Sequence, residues 1–404
     1  MPVVKNERVE LTIRPLADED VPARYELNSV AFGRTKPLSQ VQATLPRIAD
    51  QAGMNWWGVF DARGTLVADA ADREQGQWFG GRLVPTSGIA GVAVAPESRG
   101  GGVAQKLLKH MLGAARDRGA AISTLMPSVP GLYRKLGWEQ VGAIVDERVA
   151  TTALQSVRSA AGVTVRPVTV SDFPTVAEVY RAYARAGNGL MERSGPLFKA
   201  TPAEVLDAYR MTLVEGPDGA EGYASWQRTD NYGPGAKLVV TDLVTLTDRA
   251  LTALIAQFGS WGTVAPTTEL RLAVPDELTW GLPVHLERAS TDAWMLRLVD
   301  ARAAIAARGW PELRATVDLE IVDDVCPWNA GPHRLVVAAG SASLEPGGSG
   351  EVVIGSRGLA VLYGGGASTA ALRRSDLLHG GDGRTDALLD AAFAGPRPGL
   401  LDAF

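Results

Sequence analysis

Apolar residues recur at every second position in some stretches and at helical spacing in others, which predicts strands interleaved with helices. Leu11-Thr12-Ile13-Arg14-Pro15-Leu16-Ala17-Asp18-Glu19-Asp20 alternates and then turns acidic ahead of a helix over 21–32. Val163-Thr164-Val165-Arg166-Pro167-Val168-Thr169-Val170-Ser171-Asp172 repeats the arrangement ahead of a helix over 173–187. In each copy a short strand leads through Arg-Pro to an acidic residue suited to capping a helix. The echo predicts two domains of one type.

Between the copies, strands are expected at 55–61 and 65–71 around the turn Asp61-Ala62-Arg63-Gly64, at 87–95 up to Pro96, and at 121–126. Val103, Leu107, Leu108, Met111, Leu112 and Ala115 share one face of a helix, with Lys106, Lys109 and Arg116 off that face. The mixture implies an α/β or α+β fold. The last part differs. It reads as a strand at 294–299, a short helix at 300–309 opened by Asp300, and strands at 315–322, 334–339 and 351–354. A glycine-rich turn at 345–350 separates the last two strands, and helices follow at 359–363, 367–372 and 385–393. The expected domains are 1–155, 156–291 and 292–404.

A length of 404 residues fits this division, and 46% hydrophobic with 21% charged residues is an ordinary globular balance. No apolar run is long enough to span a bilayer, and the first residues lack the order of a signal peptide. A cytoplasmic protein without a membrane partner is expected. The single cysteine, Cys326, excludes an intramolecular disulfide and reads as a buried small hydrophobe. The four histidines are too scattered for a metal site, so no metal is expected. A net charge of −5 argues against a nucleic-acid partner.

The stretch that carries chemistry is Gly91-Val92-Ala93-Val94-Ala95-Pro96-Glu97-Ser98-Arg99-Gly100-Gly101-Gly102-Val103-Ala104. A strand runs into three glycines and then an amphipathic helix. Glycines there let the backbone approach a ligand and turn its amides outward, and the helix N-terminus favours an anion. No Gly-Lys-Ser/Thr follows, so this is not a Walker loop.

Arg99-Gly100-Gly101-Gly102-Val103-Ala104 resembles the Arg-x-x-Gly-x-Gly/Ala motif of the GNAT superfamily of N-acetyltransferases. Gly131-Leu132-Tyr133-Arg134-Lys135-Leu136-Gly137-Trp138 resembles the Tyr-x-x-x-Gly-aromatic segment that follows it in that family. The resemblance implies acetyl-CoA as cosubstrate. It assigns the pantetheine and pyrophosphate contacts to Val92, Ala93, Val94, Arg99, Gly100, Gly102, Val103 and Ala104, with Ser128 as a further cofactor contact. Over nearly the whole chain the layout is similar to the Eis (enhanced intracellular survival) family, in which two acetyltransferase-like halves precede a sterol-carrier-like domain. The run from Trp294 to Trp310 resembles that family's passage into its third domain. The resemblance implies tandem GNAT-like domains and a homo-oligomer, a hexamer, and because the second domain has no Arg-x-x-Gly-x-Gly match it is expected to bind no CoA. It also implies a small-molecule amine or lysine as acceptor.

By the same resemblance Tyr133 is the general acid and the terminal carboxylate of Phe404 the base. A tyrosine near pKa 10 gives its proton to a thiolate near 8.5 at a cost of about 2 kcal/mol, so either a late transfer or a lowered tyrosine pKa is expected. A carboxylate near 3.5 is mismatched by about 7 units with an ammonium near 10.4, so it would take the proton only once attack has begun. Leu400, Leu401 and Phe404 make the chain end apolar enough to dock. Phe32, Trp56 and Trp57 suit a substrate pocket or a core equally, and Asp402 lies beside the terminus. The sequence departs from the aminoglycoside-modifying members at Arg34, where they carry an acid, and at Ala403, where they carry Glu. A cation at 34 repels polyamines. Two alternatives to the transferase are a lipid- or sterol-binding protein and a CoA-binding regulator without turnover.

Overall fold

A computed structural model describes residues 10–33, 36–194, 198–230, 232–281 and 284–404. The first unit runs β1 (Thr12–Pro15), α1 (Val21–Phe32), α2 (Leu38–Val41), β2 (Met54–Phe60), β3 (Leu66–Phe79) and β4 (Arg82–Val94). It continues through α3 (Val103–Asp117), β5 (Ile122–Leu125), α4 (Pro130–Arg134) and β6 (Glu139–Ala150). The second unit runs β7 (Thr164–Pro167), α5 (Phe173–Ala186), α6 (Pro202–Ala208), β8 (Arg210–Gly216), β9 (Gly219–Arg228) and β10 (Lys237–Thr245). Then come α7 (Asp248–Gly259), β11 (Thr267–Leu272), α8 (Pro275–Gly281) and β12 (Glu287–Leu298). The third unit contains α9 (Ala301–Ala307), β13 (Ala315–Val322), β14 (Gly331–Ala338), β15 (Ser341–Pro346) and β16 (Val352–Gly355). It closes with α10 (Ser356–Gly364), α11 (Thr369–Arg374), β17 (Leu378–Gly380) and α12 (Gly383–Ala392).

Twelve strands form one sheet in the order β1-β2-β3-β4-β5-β12-β6-β11-β10-β9-β8-β7. Read from either end, the order is the same once β7 to β11 are matched to β1 to β5. The last strands are exchanged: β12 lies beside β5, and β6 beside β11. The repeat seen at 11–20 and 163–172 is therefore a duplication of the whole unit. It extends to side chains, because Arg14 holds Asp20 at 2.7 and 2.9 Å and Arg166 holds Asp172 at 2.8 and 2.9 Å. The acidic residues do not cap the α-helices as expected. Asp20 and Asp172 instead accept the backbone N–H groups of Ala17 and Thr169, closing a 3-10 turn ahead of each helix.

The expected strand at 294–299 is the second half of β12. Opening the third unit at 292 put this strand in the small sheet, whereas its hydrogen bonds run to β5 and β6. The small sheet has the order β15-β14-β13-β16-β17, and β15 occupies part of the turn expected at 345–350. Asp300 does cap α9, accepting from the Ala303 N–H at 3.0 Å. A buried ion pair of Arg297 with Asp323 at 2.7 Å ties the large sheet to the third unit.

The apolar face of α3 is buried as its spacing requires, each of its large side chains being worth about 1.5–3 kcal/mol. Cys326 is buried, and burial pushes its thiol up to about 11. Among the described residues no helix is long and apolar enough to cross a membrane. Nor is any group of three His, Cys, Asp or Glu side chains placed to hold a metal ion.

Candidate active site

β4 pairs in parallel with β5 only from Thr86↔Ile122 to Ile89↔Leu125, and beyond Ile89 the two strands part. On its other edge β4 stays paired with β3, but Ala71 faces Ala90 while Asp69 faces Ala93, so two residues of β4 oppose one of β3. This bulge centres on Gly91, whose φ of 59° an L side chain rarely adopts. The edge of β4 over Ala90–Val94 is left without a neighbouring strand toward β5, so its backbone groups face an open cleft. Ala93 is buried, while Val92 and Val94 are half-buried on the α3 side.

From this edge the chain enters the glycine turn. Arg99 is exposed and its Nε donates to the Val94 carbonyl at 3.3 Å, folding the turn back on the strand. Gly100 and Gly102 have φ of 79° and 74°, and no atom lies within 4 Å of the position a Cβ would take. Positive φ, not crowding, requires glycine there. Val103 and Ala104 open α3, whose first amides have no intrahelical partner. Cleft and helix N-terminus together offer a row of free N–H groups, which fits the pantetheine and pyrophosphate of CoA.

Tyr133 lies on α4, buried at 5% exposure, edge-on to Trp138 with ring centroids 6.3 Å apart. It packs in the same core cluster as Val103 and Leu107 of α3. Burial pushes its phenol above the usual value. Of the two expectations for Tyr133, the raised value speaks for a late transfer and against a lowered pKa, since among the described residues no cation or donor offsets the loss of water. Ser128 is exposed in the bend before α4.

Across the sheet, on the face opposite α3, lies a cavity of about 600 Å³. Arg73 and Gln75 of β3 line one wall, α5 and the second unit's strands another, and the chain end from Leu401 to Phe404 enters it. Tyr133 does not line this cavity. The Asp402 carboxylate is held by Arg193, whose Nε donates to it at 2.9 and 3.1 Å. Arg193 also donates to Asp242 at 2.7 and 2.9 Å and stacks on Tyr180 at 4.1 Å. Phe404 is half-buried and packs against the core shared by the large sheet and the third unit.

The aromatic candidates do not meet there. Phe32 is 53% exposed at the end of α1. Trp56 is buried against α1 with the Arg24 guanidinium 3.4 Å above its ring. Trp57 faces the other way, toward α3, 4.6 Å from the His110 ring. Arg34 lies outside the described residues. Arg73, Gln75, Arg193 and Asp242 carried no signal in the sequence, because what brings them together is pairing between distant strands.

The comparisons with known proteins follow this division of the chain. Residues 12–141 and 189–298 each match an acetyltransferase (GNAT) domain, and 301–401 match a sterol carrier protein domain. An uncharacterized N-acetyltransferase of Streptomyces coelicolor is 29% identical over 323 residues, covering 72% of this chain and 74% of that protein. The crystal structure of a GCN5-related N-acetyltransferase from Kribbella flavida is 33% identical, with a TM-score of 0.84, over 98% of this chain and 99% of that one. The chain belongs to the GCN5-related N-acetyltransferases. Eis1 of Mycobacterium abscessus, 22% identical with a TM-score of 0.77 over 98% of this chain and 100% of that one, shares the fold. As a GCN5-related N-acetyltransferase the chain is an acyltransferase enzyme, of a family that uses acetyl-CoA. Its two related units and its sterol-carrier-like unit correspond to the three matched domains.

Proposed function

We propose that the chain transfers acetyl directly from acetyl-CoA to a primary amine, of a small molecule or a lysine, in its first unit. The observation that carries this reading is the parted edge of β4 leading into the Arg99–Ala104 turn at the start of α3. When bound, acetyl-CoA supplies a thioester whose acetyl group passes to the amine nitrogen as the C–S bond breaks and the sulfur gains a proton. The backbone N–H groups of Val92, Val94 and Gly100–Ala104 hold the cofactor, Arg99 adds charge for a phosphate, and Ser128 adds a hydroxyl.

Tyr133 Oη carries the proton destined for the leaving sulfur. Burial keeps it neutral, so it is present as a donor throughout the physiological range. The terminal carboxylate of Phe404 takes the proton that the amine loses once attack has begun. The tie of Asp402 to Arg193 supports this role, because it holds the chain end in the cavity. Cofactor and acceptor then approach from opposite faces and meet where β4 leaves β5.

In the second unit the same position is closed. Thr247 caps α7 through its side chain, and the Glu221 carboxylate accepts from Thr247 Oγ1 at 2.7 Å. Glu221, itself paired with Arg249, and the Thr247 hydroxyl occupy the helix start, which supports a single cofactor site per chain. Inside the third unit the Arg308 guanidinium lies buried among Trp310, Tyr363 and Phe393, a cation in the core where a lipid chain would need apolar room. Its presence argues against the lipid-binding alternative. Membership of the Eis family, the unit boundary near 155 and a homo-oligomeric, hexameric assembly are parts of the same proposal, and light scattering tests the last.

The test is thiol release from acetyl-CoA against a panel of amines. Turnover that falls at least tenfold in Tyr133→Phe and in a chain lacking Phe404 supports the reading. Tight acetyl-CoA binding with no turnover on any amine supports the regulatory alternative.

A further inference from the structure

We propose that Arg73 selects acceptors bearing an anionic group, a carboxylate above all, beside the amine that is acetylated. The inference rests on the transferase reading and names the substrate class of that site.

Arg73 lines the cavity from β3, where it faces Gly88 on β4. Two residues back along β3, Ala71 faces Ala90, where β4 begins to leave β5. Two strand residues span about 7 Å, so the guanidinium side chain starts within one small molecule's length of the cleft. Its side chain reaches from there into the acceptor cavity rather than toward the cofactor turn, which opens on the α3 face.

Among the described residues, the other arginines that line the cavity are matched, and Lys199, which also lines it, is exposed to solvent. Arg193 meets Asp242 and Asp402, Arg271 meets Asp146 at 2.9 Å, and Arg181 meets Glu192 at 3.5 Å. Among the described residues, no carboxylate, ring or hydrogen-bond acceptor meets Arg73, and its Nε is buried without a partner. The terminal carboxylate of Phe404 lines the same cavity without forming an ion pair with it. Burial disfavours the charged guanidinium, yet arginine does not give up its proton in proteins. Arg73 is half-buried, and a cation partly withdrawn from water without a partner is best satisfied when a ligand supplies the counter-charge. The planar fork suits a carboxylate, which it binds through two parallel hydrogen bonds. The same cation disfavours polycationic acceptors.

Matched acceptors give the test: an amino acid against its carboxamide, and ethanolamine phosphate against ethanolamine, compared by kcat/KM. Wild type is expected to favour the carboxylate-bearing member by roughly 10–100-fold, the range of a charge-assisted hydrogen bond. A larger preference in the phosphate pair would make phosphate the preferred anion. Arg73→Gln is expected to bring both ratios close to one, and Arg73→Lys to keep part of the preference. Removing an unpaired, half-buried charge leaves Arg73→Gln melting at or above wild type, which separates the result from misfolding. A ratio near one in wild type, or one that survives Arg73→Gln, overturns the inference. So does an equal loss on acidic and neutral amines that vanishes in a chain lacking Phe404, since Arg73 would then serve the chain's own terminus. If no amine turns over, the transferase reading fails instead. In that case a rise in Tm with the amino acid and not its amide, lost in Arg73→Gln, still supports the anion site, and its absence overturns it.

Discussion

Arg193 holds the carboxylates of Asp242 and Asp402 at once, its Nη1 2.7 Å from Asp242 and its Nη2 2.8 Å from Asp402. One cation thereby fastens the chain end to β10. Arg193→Met leaves two carboxylates facing each other without a counter-charge and should cost about 3 kcal/mol, seen as a drop in Tm. Asp402→Asn keeps the Asp242 pair, so its Tm should stay close to wild type. Its kcat/KM should still fall, because the terminus is less firmly held, and acetyl-CoA affinity should not change.

Tyr133→Phe removes a hydroxyl that makes no hydrogen bond among the described residues, so stability should change little. Acetyl-CoA Kd should stay within a factor of two while kcat drops at least tenfold. Because burial raises the phenol pKa, ionisation of Tyr133 should cause no loss of wild-type rate below about pH 10. A decline near neutral pH that disappears in Tyr133→Phe would contradict this.

Gly102 sits at φ 74° with open space beyond it, so Gly102→Ala meets strain of about 1–2 kcal/mol without a clash. The turn should relax by re-aiming its amides, raising the acetyl-CoA Kd about tenfold, an effect calorimetry would detect. Gly119→Ala, at φ 87° beyond the other end of α3, carries similar strain and should leave the Kd unchanged.

Glu139 of β6 lies between Arg134 Nε at 2.9 Å and Arg357 Nη2 at 2.6 Å, the latter from the third unit. Burial alone would raise its pKa, but the Gln140 N–H and the two arginines outweigh burial and hold it below the usual value. A carboxyl whose pKa is lowered on folding stabilises fully above its unfolded value, near 4.3, and loses that contribution as the pH falls through the folded value. Glu139→Gln should therefore lower Tm at pH 7 and lower it less near pH 3. A Tm difference that is equal at both would count against the ion pair.

What could be read from the sequence was what is encoded locally. The glycine turn and the apolar face of α3 need only neighbouring residues, and the repeated Arg-Pro and Asp mark both units. β3 was visible only to residue 71, because Asp72, Arg73, Glu74 and Gln75 break the apolar alternation. The strand runs on to Phe79 because distant partners receive the side chains of Asp72 and Gln77. Ser87 and Arg118 bind Asp72, and Thr124 and the Gly189 carbonyl bind Gln77. The same distance hid Arg73 as a cavity residue and sent the strand at 294–299 to the large sheet. Asp20 was misread as a cap because the partner it satisfies, Arg14, lies upstream.

The exchange of β6 and β12 also has a timetable. On the ribosome, β5 is complete at Leu125 but its neighbour β12 ends at Leu298. At about 5–20 residues per second the nascent first unit waits roughly 10–35 s with that edge bare. The wall behind the cofactor cleft is thus the last strand of the large sheet to be laid down, and until then the first unit carries an open strand edge exposed to its neighbours on a polysome.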